Sequence, residues 1–175
     1  VSGSPARPAL ATPASERVQL RSADGATAEI HLHGAHLVSW RPAMDGGERL
    51  FLSARSEFRD GAAIRGGVPV IFPQFATEGP LPRHGFARTS PWMLAGVERT
   101  ADGSARARLE LRDTAATRSI WPASFLATLT VRVVGEHLAI GLAVQNTGTQ
   151  PFSFTSALHT YLRVQDVGDV ELVGL

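Results

Sequence analysis

Between Ile64 and Arg88 the chain reads IRGGVPVIFPQFATEGPLPRHGFAR, and this span carries Arg65, Gln74, Arg83, His84 and Arg88. Each of these side chains can grip a polar ligand. The planar guanidinium of arginine presents two parallel charge-assisted donors to a phosphate or carboxylate. Glutamine both donates to and accepts from sugar-like hydroxyls. Phe72, Phe75, Phe86 and Trp92 add candidate apolar walls against which a sugar ring could lie. The same composition also suits a structural loop whose arginines are solvated and whose aromatics fill a core.

A second candidate is His159 in Phe154-Thr-Ser-Ala-Leu-His-Thr-Tyr161. On a strand it shares a face with Ala157 and Tyr161, opposite Leu158 and Leu162. A histidine there could serve as a proton donor; the bland alternative is a partly buried, hydrogen-bonded ring. His31 and His33 are two apart, hence on one strand face, with His36 close by. No supporting metal-binding motif accompanies them, so a solvated strand face is expected there and no metal site.

The elements that must position these groups are short strands. Val18 and Leu20, then Ala28, Ile30 and Leu32, alternate with polar neighbours, and Leu37–Trp40 makes a further short strand. Longer alternations run over 105–111, 125–134 and 137–146, the last two joined by Gly135-Glu136 as a tight hairpin turn. Helical periodicity is confined to pieces such as Ser53–Phe58. Repeated short strands with turn signals predict an all-β sandwich or barrel. Within 64–88, Pro69, Pro73, Pro80 and Pro82 lack backbone donors and restrict their predecessors, which predicts a rigid, shaped loop rather than a central strand. Loops on rigid scaffolds are favoured binding and catalytic sites.

Composition narrows the function classes. Of 175 residues, 43% are hydrophobic and 19% charged, as in a globular domain. Seventeen basic against sixteen acidic residues give no global charge excess with which to attract nucleic acid or a membrane surface. The absence of cysteine excludes disulfides, thiolate nucleophiles and Cys-ligated zinc. No apolar run approaches the roughly 20 residues that span a bilayer, and no signal peptide is recognisable, so a cytoplasmic protein is expected. Residues 1–16, rich in Ala, Pro and Ser, are expected to form a disordered leader, and 17–175 a single domain. Val170–Leu175 stops within a strand-like alternation, which suggests a fragment.

Several ordered segments together resemble a known family. IRGGVPVIFPQF, HGFAR followed by Trp92, IWPASF and FTSALHTYLRV are similar, in that order, to the hexose-6-phosphate mutarotases. These are the glucose-6-phosphate 1-epimerase branch of the aldose 1-epimerase, galactose-mutarotase-like superfamily. The resemblance runs from about Arg17 to Leu175.

It implies a β-supersandwich, here incomplete at its C-terminus, and interconversion of the α and β anomers of a hexose 6-phosphate. In that reaction a histidine protonates the ring oxygen while a carboxylate deprotonates the anomeric hydroxyl. The open aldehyde rotates and recloses on its other face. By this resemblance His159 is the general acid, His84 the second catalytic histidine, Arg65 and Arg88 the phosphate ligands and Gln74 a hydroxyl contact. No cofactor is implied, and the partner is a small-molecule sugar phosphate. The family's glutamate base lies well beyond His159, in a portion absent from these 175 residues. Glu171, twelve positions past His159, sits in the wrong motif context to replace it. Three alternatives remain open: a non-catalytic carbohydrate or sugar-phosphate binding module, a mutarotase of unphosphorylated aldoses, and a purely structural β-domain.

Overall fold

The computed structural model describes residues 16–174; the expected leader lies almost wholly outside them. Among the described residues, two larger antiparallel sheets and one two-stranded pair carry the fold. The first has the order β1 (Arg17–Arg21), β2 (Thr27–His31), β3 (His36–Arg41). A two-residue strand, β4 (Val70–Ile71), follows within the 64–88 segment. The second sheet is a meander of β5 (Met93–Arg99), β6 (Ala105–Arg112), β7 (Phe125–Val134) and β8 (His137–Asn146). A short helix, α1 (Ala115–Ile120), joins β6 to β7, and β9 (Ala157–Leu158) pairs with β4.

The two long alternations dictate the core. On β6, Ala105, Ala107, Leu109 and Leu111 are buried, whereas Arg106, Arg108 and Arg112 point to solvent. On β7, Phe125, Ala127, Leu129, Val131 and Val133 are buried at every second position. They merge with Val18, Leu20, Ala28 and Ile30 of the first sheet into one apolar cluster. Each large side chain so enclosed, such as Leu129, contributes roughly 1.5–3 kcal/mol.

The β7–β8 hairpin closes at Gly135-Glu136, with Val134 paired to His137 and Gly135 at φ +55°. Its tip is tied to the first sheet: the Gly135 N–H donates to Asp24 Oδ2 at 2.6 Å, and its carbonyl accepts from Ala43 at 2.9 Å.

Three expectations need correction, and one strand was not anticipated. Strand β5 carries no readable alternation because every one of its residues is exposed; it is an edge held by its ladder to β6. Ser53–Phe58 is not helical. The helix is α1, where Thr114 accepts from the Thr117 N–H while the Thr117 side chain accepts from the Thr114 N–H. This reciprocal cap nucleates a segment too short to show a helical period. The strand expected around His159 shrinks to Ala157–Leu158, although main-chain bonds continue irregularly beyond it. Finally, residues 170–174 form no strand and are exposed. Among the described residues no helix is long and apolar enough to cross a membrane.

Candidate active site

The segment 64–88 is anchored by the pairing of β4 with β9, by a bridge from Val68 to Leu37 of β3 and by a bridge from Gly66 to Leu52. The approach to β3 is close. Gly67 sits at φ +60°, and a Cβ there would lie 2.2 Å from the Leu37 carbonyl oxygen. Only glycine meets both demands.

The chain around His159 runs antiparallel along the same segment. The His159 N–H donates to the Pro69 carbonyl at 3.1 Å, Tyr161 N–H to Gly67 at 2.9 Å and Thr155 N–H to Pro73 at 3.0 Å. This ladder carries His159 to within 6.4 Å of His84, ring centre to ring centre. Tyr161 packs on the other side of His159 at 4.9 Å, and Phe75 beside His84 at 5.7 Å. The shared face of His159 and Tyr161 is thus realised, though the regular strand is not.

His84 has a constrained backbone, at φ +68°. A non-glycine residue in this region costs on the order of 1–3 kcal/mol and persists where its surroundings hold it. Its N–H donates to the Ala76 carbonyl at 2.9 Å. The ring Nδ1 accepts from the Ala76 N–H at 3.2 Å, so the proton of the neutral ring resides on Nε2. Burial, followed by Arg88, Arg83 and His159, holds its pKa below the ordinary value. The ring is therefore a neutral donor at neutral pH.

Arg88 emerges from a helical turn of the 3-10 type at Ala87–Thr89 and is half-buried. Its Nη2 donates to the Arg83 carbonyl at 3.4 Å. Desolvation disfavours its charge first, with Arg65 and Arg83 adding repulsion and Tyr161 offsetting part of it. Among the described residues none of Arg65, Arg83 and Arg88 has a carboxylate partner, unlike Arg49 or Arg118. An anion entering between them would relieve this repulsion.

Gln74 is placed differently from the expected hydroxyl contact. It is buried, and its amide donates to the Leu81 carbonyl at 3.0 Å while accepting from the Leu81 N–H at 2.9 Å. This closed pair shapes the 74–81 loop. The aromatic walls are also largely reassigned. Phe72, Phe86 and Trp92 are core residues, with Phe72 edge-on to Trp121, Phe125 and Phe154. Phe75 alone of the four stays partly exposed beside the histidines.

The three N-terminal histidines do not form the expected solvated face. All are buried: His31 stacks on Phe58, His33 Nε2 lies 2.7 Å from the Ala62 carbonyl and His36 Nε2 2.7 Å from the Gly66 carbonyl. The turn after β2 tucks His33 and His36 under the 62–66 stretch, which strand periodicity does not reveal. Among the described residues no group of three or more His, Cys, Asp or Glu side chains is arranged to hold a metal.

Burial pushes His36 down to about 4, with smaller contributions from His31, His33 and Arg88 and a partial offset from its bond to Gly66. Its contribution to stability is complete above the ordinary value near 6.5 and is lost as pH falls toward about 4, because only the unfolded chain gains a proton in that window. Stability should therefore drop by up to about 1.4 kcal/mol per pH unit from this ring alone. Urea unfolding at a series of pH values measures it; a flat profile across that window would rule out the buried neutral ring.

Comparison with known proteins adds the following. The model of the family described as Aldose 1-epimerase matches residues 16–174. A "putative glucose-6-phosphate 1-epimerase" of Cenchrus ciliaris is 39% identical over 167 residues, covering 91% of this chain and 50% of that protein. One of Escherichia coli K12 with the same name is 43% identical over 150 residues, covering 85% and 49%. The crystal structure of a "putative mutarotase (YeaD)" from Salmonella typhimurium superimposes with a TM-score of 0.71 at 38% identity, over 81% of this chain and 46% of that one. The chain spans about half the length of the curated relatives it matches. More distant galactose-mutarotase-like structures, at 20% identity and below, share the all-β fold.

Proposed function

The chain belongs to the aldose 1-epimerase family, and from that premise we propose that this protein interconverts the α and β anomers of a hexose 6-phosphate, glucose 6-phosphate foremost. The observation that carries the phosphate part is the group Arg65, Arg83 and Arg88, crowded beside a histidine pair with no carboxylate partner among the described residues. A neutral sugar has no need of such a cluster.

In this reading Arg65 and Arg88 bind the phosphate, and Arg83 adds field. His159 gives its proton to the ring oxygen as the C1–O5 bond breaks, and a carboxylate takes the anomeric hydroxyl proton. Rotation about C1–C2 and the reverse transfers close the ring with the opposite configuration. His84, a neutral Nε2–H donor, hydrogen-bonds a hydroxyl or the oxygen on which charge develops. Gln74 serves by fixing the loop that presents His84. The carboxylate is assigned to the part of the family fold that these residues do not span.

A second reading, a sugar-phosphate binding module, is favoured by one observation: among the described residues no carboxylate pairs with His84 or His159. Exchange NMR on equilibrated glucose 6-phosphate and on glucose, with the intact protein, separates the readings. Accelerated exchange of the phosphorylated sugar is expected. Binding without acceleration supports the module, and equal acceleration of both sugars supports a mutarotase of free aldoses.

A further inference from the structure

Arg65 and Arg88 lie on two separate arms of the chain, and the same buried turn touches both. That turn runs from His33 to His36, the first residue of β3. On one side, the His36 ring nitrogen Nε2 lies 2.7 Å from the carbonyl of Gly66, the residue after Arg65. Since a carbonyl only accepts, Nε2 carries the proton and Nδ1 is a bare lone pair, which is buried without a partner. The ring is fully enclosed. His33 repeats the contact three residues earlier, its Nε2 lying 2.7 Å from the Ala62 carbonyl.

On the other side, the Gly34 N–H donates to the Ser90 carbonyl at 2.8 Å. Gly34 also approaches the second arginine closely: at φ +74°, a Cβ there would meet the Arg88 carbonyl oxygen at 2.5 Å. The two arms are thus spaced by one rigid turn, through ring nitrogens on one flank and main chain on the other. Forked recognition of a phosphate demands guanidinium placement within a fraction of an ångström, so whatever spaces the arms governs affinity for the anion.

We infer that His36 is a positioning residue for the Arg65–Arg88 anion clamp, acting through its Nε2–H bond to the Gly66 carbonyl. The inference rests on the proposed phosphate-binding role of the two arginines. His36 touches no substrate; it sets where Arg65 stands relative to Arg88. A merely structural histidine would affect all ligands alike, whereas a spacer of the clamp affects the phosphorylated one.

The test compares glucose 6-phosphate with glucose on the intact protein, by KM and by NMR-detected binding, for wild type, His36→Leu and His36→Gln. Leucine removes the donor; glutamine places an amide N–H near the position of Nε2. His36→Leu should weaken glucose 6-phosphate on the order of tenfold and leave glucose within about twofold, with kcat little changed. His36→Gln should recover most of the loss. Equal weakening of both sugars, or no weakening in a folded variant, overturns the inference. If His36→Leu does not fold, His36→Asn carries the same comparison, since its amide falls short of the Gly66 carbonyl. Wild type itself reports on the functional reading: a lack of preference for the phosphorylated sugar would overturn that reading, and the inference with it.

Discussion

Exchanging His159 for alanine in the intact protein is expected to slow anomer exchange of glucose 6-phosphate by about 10²–10⁴-fold, the usual contribution of one positioned proton-transfer group. Affinity for the sugar should change far less, because the arginines proposed to hold the phosphate stand on another segment. Stability should hardly move. His159 is exposed, and the groups that place it are its own main-chain N–H, bonded to Pro69, and the Tyr161 ring beside it. Alanine keeps the first of these.

His159→Gln sharpens the test. An amide can hydrogen-bond the ring oxygen but cannot transfer a proton at neutral pH, so this variant should be nearly as slow as alanine. Full activity of His159→Gln would mean that the side chain only contacts the sugar. An alanine variant within twofold of wild type would remove His159 from the chemistry altogether. Exchange NMR at equilibrium measures both variants without a coupling enzyme.

The second large effect belongs to Arg88. Arg88→Ala should weaken glucose 6-phosphate by roughly 10–100-fold, since a hydrogen bond to a charged group is worth about 1.5–3 kcal/mol and each 1.4 kcal/mol is tenfold. Glucose should be affected by less than about threefold. Arg88→Lys should fall between, because an ammonium keeps the charge and loses the planar fork. Titration at low and high salt adds a check: the difference between the two sugars should shrink as salt rises.

Arg88→Met is a useful companion, because it separates function from fold. The guanidinium is half-buried among other arginines with no carboxylate to offset it. Its removal should leave stability unchanged or higher by up to about 1 kcal/mol, as where binding groups are held at the expense of stability. Thermal unfolding of Arg88→Met decides this point. A destabilised variant would show that the arginine supports the loop instead of waiting for a ligand.

Much of the scaffold was legible from residue order. Alternation over 105–111 and 125–134 names the buried faces of β6 and β7, because a strand's side-chain period of two is enforced by backbone geometry. The Gly135-Glu136 hairpin was equally readable, as a two-residue connection between matched strands. Strand β5 was not: with all residues exposed, no solvent-facing and core-facing pattern exists to detect. Helix α1 rests on a two-threonine cap, a signal spanning four residues. Phe72, Phe86 and Trp92 read from the sequence equally as ligand walls or as core, because composition cannot say which side of a loop meets the core. Gln74 and His36 carry the same lesson. Their polar atoms are bound to main chain that lies 7 and 30 positions away in sequence.

For the 64–88 segment itself, residue types alone determined the chemistry on offer: arginine forks for an anion, a histidine, and a proline- and glycine-shaped backbone. Tertiary structure decided the arrangement. The pairing of β4 with β9 brings His159 beside His84 across 75 positions (159 − 84). The turn of His33 to His36 spaces Arg65 from Arg88. Local preferences act over a few residues, whereas these distances depend on which buried surfaces meet, and that is settled only when the whole core packs.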